Sequence, residues 1–401
     1  MTVERKIQYG FIGCGMMGQE HIANAALAGA GVTVVFEPDA GMRAATRAKV
    51  TALGLPEVRF VDTARAVCSD SGVDALVITS PNHCHADQLI ALADIGKASG
   101  RFLPILVEKP VCTQLSDVHR LSQFQESYPA PIWVAMEYRY MPPIAALVKE
   151  AHAQIHTGVP VMLSIREHRY PFLRKVGDWN RFNQNTGGTL VEKCCHFFDL
   201  MRLIMQEDPI RLYASGGQNH NHLDEVVQDA QPDILDNAYV VLDFAHGRRA
   251  LLELCMFAEG SRYQEEISLV GPLGKLECMV PGPGRFWPAA LGPAPVAQLV
   301  VSPRVWDAAA EKPLDAISGP QTLAIPVDAA LLAAGDHNGS TFYQHQHFLR
   351  AVRGESGVAV GLQDGLKAVV IGLAAEHSAK TGVAVDLTSG PYALSATNPA
   401  S

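Results

Sequence analysis

The sequence has no apolar run near the roughly 18 residues that a membrane-spanning helix requires, and no cluster of basic residues. With a formal net charge of −9 over 401 residues, the second absence argues against general attraction to nucleic acid or an acidic membrane surface. Eight cysteines are scattered along the chain and none forms a C-x-x-C pair, so neither a disulfide framework nor a thiol redox motif is indicated. The opening MTVERKIQYGFIG runs into strand-like sequence without an apolar h-region, twin arginine or small-residue cleavage site. A reduced, cytoplasmic protein is the expectation, with small molecules as partners and with neither nucleic acid nor membrane among them. No repeat of solenoid type is present.

What is there suits a globular protein. Hydrophobic residues make up 48% and charged residues 18% of a length that suggests two or three domains. From the start to about residue 137, short apolar strands alternate with helix-length segments: Ile7–Ile12, Val32–Phe36, Ala75–Ile78, Ile105–Val107 and Ile132–Met136. Such alternation predicts right-handed crossovers and a doubly wound α/β domain with a parallel sheet over residues 1–137. Beyond it, VMLSIREHRY, IRLYASGGQ, NAYVVLDFAHGRRALLELCMF and EEISLVGPLGKLECMV predict a large, mainly antiparallel sheet in an α+β domain over 138–390. Residues 281–320 look irregular, helices are expected over 341–352 and 362–381, and residues 391–401 are expected to form a loose tail. A large sheet exposes an apolar face unless covered, so a homodimer or homotetramer is expected.

GFIGCGMMG sets Gly13, Gly15 and Gly18 in G-x-G-x-x-G spacing between a predicted strand and a predicted helix. In that context the first glycine allows the tight turn, the second lets backbone approach a pyrophosphate, and the third lets helix pack on strand. Met16 and Met17 then open the helix whose N-terminus faces the phosphates. Glu37 ends the second strand, where a carboxylate can bind both ribose hydroxyls and repels a 2'-phosphate, favouring NAD over NADP. Alone it would read as a turn residue in EPDAG, and Arg43 could still rescue a phosphate.

Ligands of such sheets gather beyond the carboxyl ends of the strands. Those ends carry Ser80, Asn82 and His83, then Glu108 and Lys109, then Glu137. Lys109 follows ILVE and precedes Pro110, so its ammonium should project into the cofactor crevice; outside this fold a solvated Glu108–Lys109 pair would be the plainer reading.

Residues 186–202, TGGTLVEKCCHFFDLMR, concentrate ionisable groups. As one helix they place Thr189, Glu192, His196, Asp199 and Leu203 on one stripe and Val191, Cys194, Cys195, Phe198, Met201 and Met205 on an apolar one. The cysteines then pack, and adjacent Cα atoms about 3.8 Å apart fall short of the disulfide range of about 4.4–6.8 Å. Asp199 is expected to be structural, tied to Arg202 or to backbone. Glu192 and His196 have i, i+4 spacing, and His83/His85, His220/His222 and His345/His347 form close pairs, yet no third metal ligand is dictated, so no metal site is assigned. The preceding loop, GDWNRFNQNTGG, offers Trp179, Asn180, Arg181, Asn183 and Asn185 beside a flexible glycine pair, a surface suited to a polyhydroxylated ring.

Taken together, GFIGCGMMG, EPD, ITSPNHCH, EKP at 108–110, GGTLVEKCCHFFDLMR and GLQDGLKAVVIGLAAEHSAKTG resemble the glucose-fructose oxidoreductase and inositol dehydrogenase (Gfo/Idh/MocA) family over almost the whole chain. The resemblance implies a Rossmann domain binding NAD through Gly13, Gly15, Met16, Met17, Gly18, Glu37, Ser80, Asn82, His85, Glu108, Lys109 and Glu137. It further implies that Lys109, His196 and Glu192 are catalytic, and that a small polyhydroxylated substrate meets Lys109, Trp179, Asn183, Glu192 and His196. The chain departs from the family pattern in having Glu192 where aspartate is usual, and in the following KCC. The segment GDHNGSTFYQHQHF, 335–348, has no role assigned by the resemblance.

On this reading the protein is an NAD-dependent oxidoreductase acting on a secondary hydroxyl of a sugar, glycoside or cyclitol. Two alternatives come with the same fold. One is a glycosidase or epimerase that retains NAD, and the other is a non-catalytic dinucleotide- and sugar-binding regulator, against which the presence of both Lys109 and His196 argues.

Overall fold

A computed structural model describes residues 5–314 and 319–397 of the chain. The first third of the chain carries a six-stranded parallel sheet in the order β3-β2-β1-β4-β5-β6. Its elements are β1 (Gln8–Ile12), α1 (Met16–Leu27), β2 (Gly31–Phe36), α2 (Ala40–Ala52), β3 (Arg59–Val61), α3 (Ala64–Ser69), β4 (Ala75–Ile78), α4 (His85–Ser99), β5 (Ile105–Val107), α5 (Leu115–Ser127) and β6 (Ile132–Val134). The apolar runs ALVI, ILV and IWV are buried throughout, because helices cover both faces of a parallel sheet. At about 1.5–3 kcal/mol for each large side chain removed from water, these runs fix the sheet that carries the loops. The pair β3 and α3 went unseen in the sequence, being three and six residues long.

The chain continues through α6 (Pro142–Ala153), β7 (Met162–His168), α7 (Asn183–Thr186), α8 (Thr189–Glu192), α9 (Cys195–Met205), β8 (Arg211–Gly217), β9 (Asn237–Asp243), β10 (Arg249–Cys255), β11 (Glu265–Gly271) and β12 (Gly274–Val280). Then follow β13 (Gln298–Pro303), the small hairpin of β14 (Trp306–Asp307) and β15 (Lys312–Pro313), β16 (Gln321–Ala324), α10 (Ala329–Ala334), α11 (Ser340–Val352), α12 (Leu362–Thr381) and β17 (Val385–Asp386). A nine-stranded sheet runs β16-β13-β12-β11-β7-β10-β9-β8-β17. Every pair is antiparallel except β7 with β10, which run parallel. Within the 281–320 stretch β13 pairs with β12 and extends the sheet, so its described part is less irregular than its composition suggests, while residues 315–318 lie outside the described residues.

Helices α6, α9 and α12 lie on one face of this sheet, and strand residues alternate buried and exposed, as in β9. The opposite face exposes Met162, Tyr213, Tyr239, Val241 and Val270. The C-terminal helices also reach back to the first domain: α11 packs on α1, and α12 on α5 and β6, while Val134 N–H donates to the Val360 carbonyl. The expected loose tail is corrected in part. Leu394 and Thr397 are buried, and Ser122 Oγ donates to the Thr397 carbonyl at 3.2 Å, so the segment docks on α5; residues 398–401 lie outside the described residues.

Candidate active site

Backbone geometry at the end of β1 dictates the first part of the site. Gly13 has φ +82°, and a Cβ there would stand 2.6 Å from the Ser80 amide nitrogen. A Cβ on Gly18 would stand 2.7 Å from Thr79 Oγ1, so α1 could not approach β4 with any larger residue. Over Gly15, by contrast, nothing lies within 4 Å of the Cβ position, and the first turn of α1, opened by Met16 and Met17, contains no acidic side chain. Free first-turn amides beside that space suit a pyrophosphate.

Glu37 is buried at the end of β2 beside this loop. Its Oε2 accepts the Cys14 N–H at 2.6 Å and its Oε1 the Asp39 N–H at 2.9 Å. It thus also shapes the glycine turn, a role that spacing alone did not reveal. Arg43 Nη1 donates to the carbonyls of Glu37 and Pro38, both at 2.8 Å, so that nitrogen is not free for a 2'-phosphate.

The loops after β4 and β5 separate contact from support. Asn82 is buried and its Nδ2 has no hydrogen-bond partner, which fits a group waiting for a ligand oxygen. Ser80 Oγ donates to Gln88 Oε1 at 2.6 Å. His85 does not open on the crevice: it is fully buried, with Nδ1 2.7 Å from the Pro110 carbonyl and Nε2 2.9 Å from the Ser80 carbonyl. Glu108 likewise turns inward, Oε1 lying 2.8 Å from His21 Nε2 and Oε2 accepting the Lys109 N–H at 3.1 Å. Both residues hold the Lys109 backbone in place where direct cofactor contact was expected.

Lys109 Nζ donates to the Glu192 carbonyl at 3.1 Å, one helical turn before His196. Burial works against the ammonium, yet Cys195 and then Glu108, Glu137 and Glu192 raise its pKa on balance, so it stays charged. His196 is buried and neutral. Burial, then the charges of Lys109, Lys193 and His337, hold its pKa well below the usual histidine value. Its Nε2 lies 3.5 Å from Glu137 Oε1, its Nδ1 is buried without a partner, and its ring stacks on Tyr138 at 4.3 Å between centroids. A charged donor therefore lies near enough to His196 to act on its charge, and the imidazole keeps one uncommitted nitrogen.

Glu192 is buried too. Lys175 Nζ holds its Oε1 at 3.0 Å, and its Oε2 has no partner. The Lys175 ammonium lies 4.4 Å from the Trp179 ring centroid, and His83 meets the same ring edge-on at 5.9 Å. Trp179 and Glu192 thus share a wall, joined by a lysine that the sequence had not marked. Asn183 is placed differently: its N–H donates to Asp233 Oδ1 at 2.7 Å and its Nδ2 to the Asp233 carbonyl at 2.8 Å, leaving only Oδ1 uncommitted. Asn180 Nδ2 donates to the Leu173 carbonyl and Asn185 Nδ2 to the Trp179 carbonyl, and Arg181 is buried against Glu225.

Three further expectations change. The glycine pair is packed rather than flexible: Gly188 has φ +97°, and a Cβ there would stand 2.2 Å from Glu376 Oε1, which accepts the Leu190 N–H at 2.8 Å. The single helix is two, α8 and α9, joined at Lys193 and Cys194. Asp199 pairs with Arg139 and not with Arg202, which binds Asp208. The cysteines behave as expected: Cys194 and Cys195 are fully buried, with thiols that burial pushes up, to about 12 for Cys195. Lys193, part of the departure from the family pattern, is buried behind His196, where it binds Glu167 at 2.8 Å and donates to the Tyr138 hydroxyl.

Comparison with known proteins now decides the family. Residues 7–136 match the family model described as the NAD-binding Rossmann fold of the oxidoreductase family, and residues 153–387 its C-terminal alpha/beta domain. The chain belongs to the Gfo/Idh/MocA family. Among its relatives is "Inositol 2-dehydrogenase" of Paracoccus denitrificans (strain Pd 1222), 29% identical over 59% of this chain and 66% of the relative. A second is "Inositol 2-dehydrogenase" of Rhizobium meliloti (strain 1021), 28% identical over 61% and 68%. The alignments thus span about two thirds of these relatives' lengths. A solved structure titled "Levoglucosan dehydrogenase, complex with NADH and levoglucosan" shares the fold, with a TM-score of 0.72 at 19% identity over 96% of this chain and 100% of that one.

NAD is the cofactor of this Gfo/Idh/MocA fold, and the residues fit it. Gly13, Gly15 and Gly18 form a turn with open space over Gly15, Glu37 is buried beside it, and Asn82 Nδ2, both Glu137 carboxylate oxygens and His196 Nδ1 are buried without partners. Among the described residues no group of three or more His, Cys, Asp or Glu side chains could hold a metal ion, and no helix is long and apolar enough to cross a membrane.

Proposed function

We propose that the protein is an NAD-dependent dehydrogenase that oxidises a secondary hydroxyl of a sugar, glycoside or cyclitol, or reduces the corresponding ketone. The observation that carries this reading is the proximity of charged Lys109 to neutral His196, whose Nδ1 is buried and unpartnered. Oxidation of a carbinol needs an acceptor for the hydroxyl proton and stabilisation of charge on its oxygen. NAD supplies the hydride acceptor. His196 Nδ1 takes the proton, and Lys109 Nζ holds the oxygen. Glu192 Oε2 accepts a neighbouring hydroxyl, while Trp179 covers an apolar ring face. The names of the inositol and levoglucosan dehydrogenases support a polyol of this class.

A panel of inositols, aldoses and glycosides, followed by NADH absorbance, tests the assignment. Stoichiometric NADH formation with at least one polyol is expected. Conversion without net NADH would instead identify a transient oxidation with retained cofactor, and binding without conversion a regulator. The exposed Met162, Tyr213, Tyr239 and Val241 face of the nine-stranded sheet supports a homodimer or homotetramer. Light scattering is expected to give a mass of two or four chains, and a monomer at micromolar concentration would count against it. All eight cysteines are free, which suits a reducing, cytoplasmic compartment.

A further inference from the structure

The 335–341 segment leaves α10, crosses α1 and enters α11, and one carboxylate on α1 gathers it. Glu20 Oε1 lies 2.7 Å from His337 Nδ1 and accepts the Thr341 hydroxyl at 2.9 Å, and its Oε2 accepts the Asp336 N–H at 3.4 Å. Gly335 is bare where a Cβ would stand 2.3 Å from the Glu20 carboxyl carbon. These grips present His337 Nε2 at 3.9 Å from Glu137 Oε1, the same oxygen that lies 3.5 Å from His196 Nε2.

Glu137 is the unusual member. It is fully buried, and neither carboxylate oxygen has a hydrogen-bond partner. Packing alone is better served by an apolar side chain, since a buried carboxylate without hydrogen bonds is costly. Side-chain exposure rises along the row, from 1% at His196 and 2% at Glu137 to 21% at His337, with Glu20 at 12%. The row runs from the reacting centre to water.

We propose that Glu137 and His337, backed by Glu20, conduct the reacting proton between His196 and solvent. This rests on the dehydrogenase reading for the source of the proton. The O–H bond of the substrate breaks and its proton passes to His196 Nδ1; the Nε2 proton of His196 passes to Glu137, giving a neutral carboxyl group. Glu137 then protonates Nε2 of neutral His337, and the imidazolium so formed releases its Nδ1 proton past Glu20 to water; tautomer exchange of both rings after product leaves restores the starting protons. One proton leaves per turnover and no electrons move along the row. Both gaps exceed a direct hydrogen bond of about 2.7–3.2 Å, and a small side-chain shift or one bridging water closes each. The other groups facing His337 are Lys193 and the Tyr138 ring.

Burial, then the charge of Glu108, raises Glu137 to about 7. Burial would lower His337, but Glu20, by charge and by hydrogen bond, and then Glu137 lift it to about 9. In the oxidising direction the relay needs His337 without its second proton, so transfer quickens as pH rises toward the His337 value.

Two measurements decide the proposal, using His337→Gln and the buried isostere Glu137→Gln, each first shown to bind NADH. In the NADH-bound protein, exchange of the His196 ring proton with solvent, read by 15N NMR, is expected to slow about 10-fold or more in both variants. An unchanged exchange rate overturns the relay, whether or not any polyol is turned over. With myo-inositol and levoglucosan as probes, kcat of His337→Gln is expected to fall about 10-fold or more at unchanged KM for NAD, and added imidazole to restore it. Loss of kcat without imidazole rescue also overturns the relay. If the unaltered enzyme oxidises neither probe nor any member of the polyol panel, the dehydrogenase reading fails and the exchange measurement still decides the relay.

Discussion

Replacing Lys109 by methionine is expected to lower kcat by about 10²–10³-fold while leaving NADH affinity within a few-fold. The variant keeps the aliphatic stem and removes only the charge. The backbone around it is fixed independently: Glu108 is held by His21, and the Pro110 carbonyl by His85. Loss of rate can then be assigned to the missing ammonium rather than to a displaced loop. Lys109 Nζ has one fixed partner, the Glu192 carbonyl, and can offer further N–H groups to a substrate oxygen. Steady-state kinetics beside NADH fluorescence titration would check this, and a variant with ordinary kcat would remove Lys109 from the chemistry.

The second large effect is expected at His196. Its replacement by asparagine should cost about 10²–10⁴ in kcat, the usual range for a positioned general base. Its pH dependence follows from its neighbour. Glu137 titrates at about 7, so below that value it is protonated and can neither orient the Nε2–H of His196 nor take a proton from it. Activity of the unaltered enzyme in the oxidising direction should therefore rise with pH through about 7 and on toward about 9, where His337 gives up its second proton, apparent values that belong to the coupled groups rather than to either alone. A profile that is flat between pH 6 and 8, a window about one unit on either side of the Glu137 value, would count against the pairing.

The sequence carried some of these features plainly and hid others for physical reasons. Glycines at fixed spacing, EKP after a buried strand and a histidine four residues after an acid are local signals, and each resides on one element. Cys194 and Cys195 are buried as the apolar stripe implies, although the helix breaks beside them and the polar stripe of Glu192, His196 and Asp199 is buried as well. What escaped depends on residues far apart in the chain. Nothing local marks Glu20 in MMGQEHIANAAL as the anchor of a loop more than 300 positions later, nor Lys175 as the partner of Glu192. Asp199 had an arginine one turn away and took Arg139 instead, because tertiary proximity outranked helical spacing. The amides of GDWNRFNQNTGG suggest ligand groups, yet Asn180, Asn183 and Asn185 each donate to a backbone carbonyl, of Leu173, Asp233 and Trp179, the ordinary use of asparagine in irregular structure.

The return of α11 and α12 to the first domain bears on how the molecule can be taken apart. Chain order suggests a cofactor module that could be cut free near residue 137. Space does not, because β6 has its Val134 amide bonded to Val360, and α5, β6 and α1 are covered by helices from the far end of the sequence. A chimera that exchanges cofactor halves must move two segments together, the N-terminal one and the 335–397 stretch that closes it. It must also keep Glu20 and His337 from the same parent.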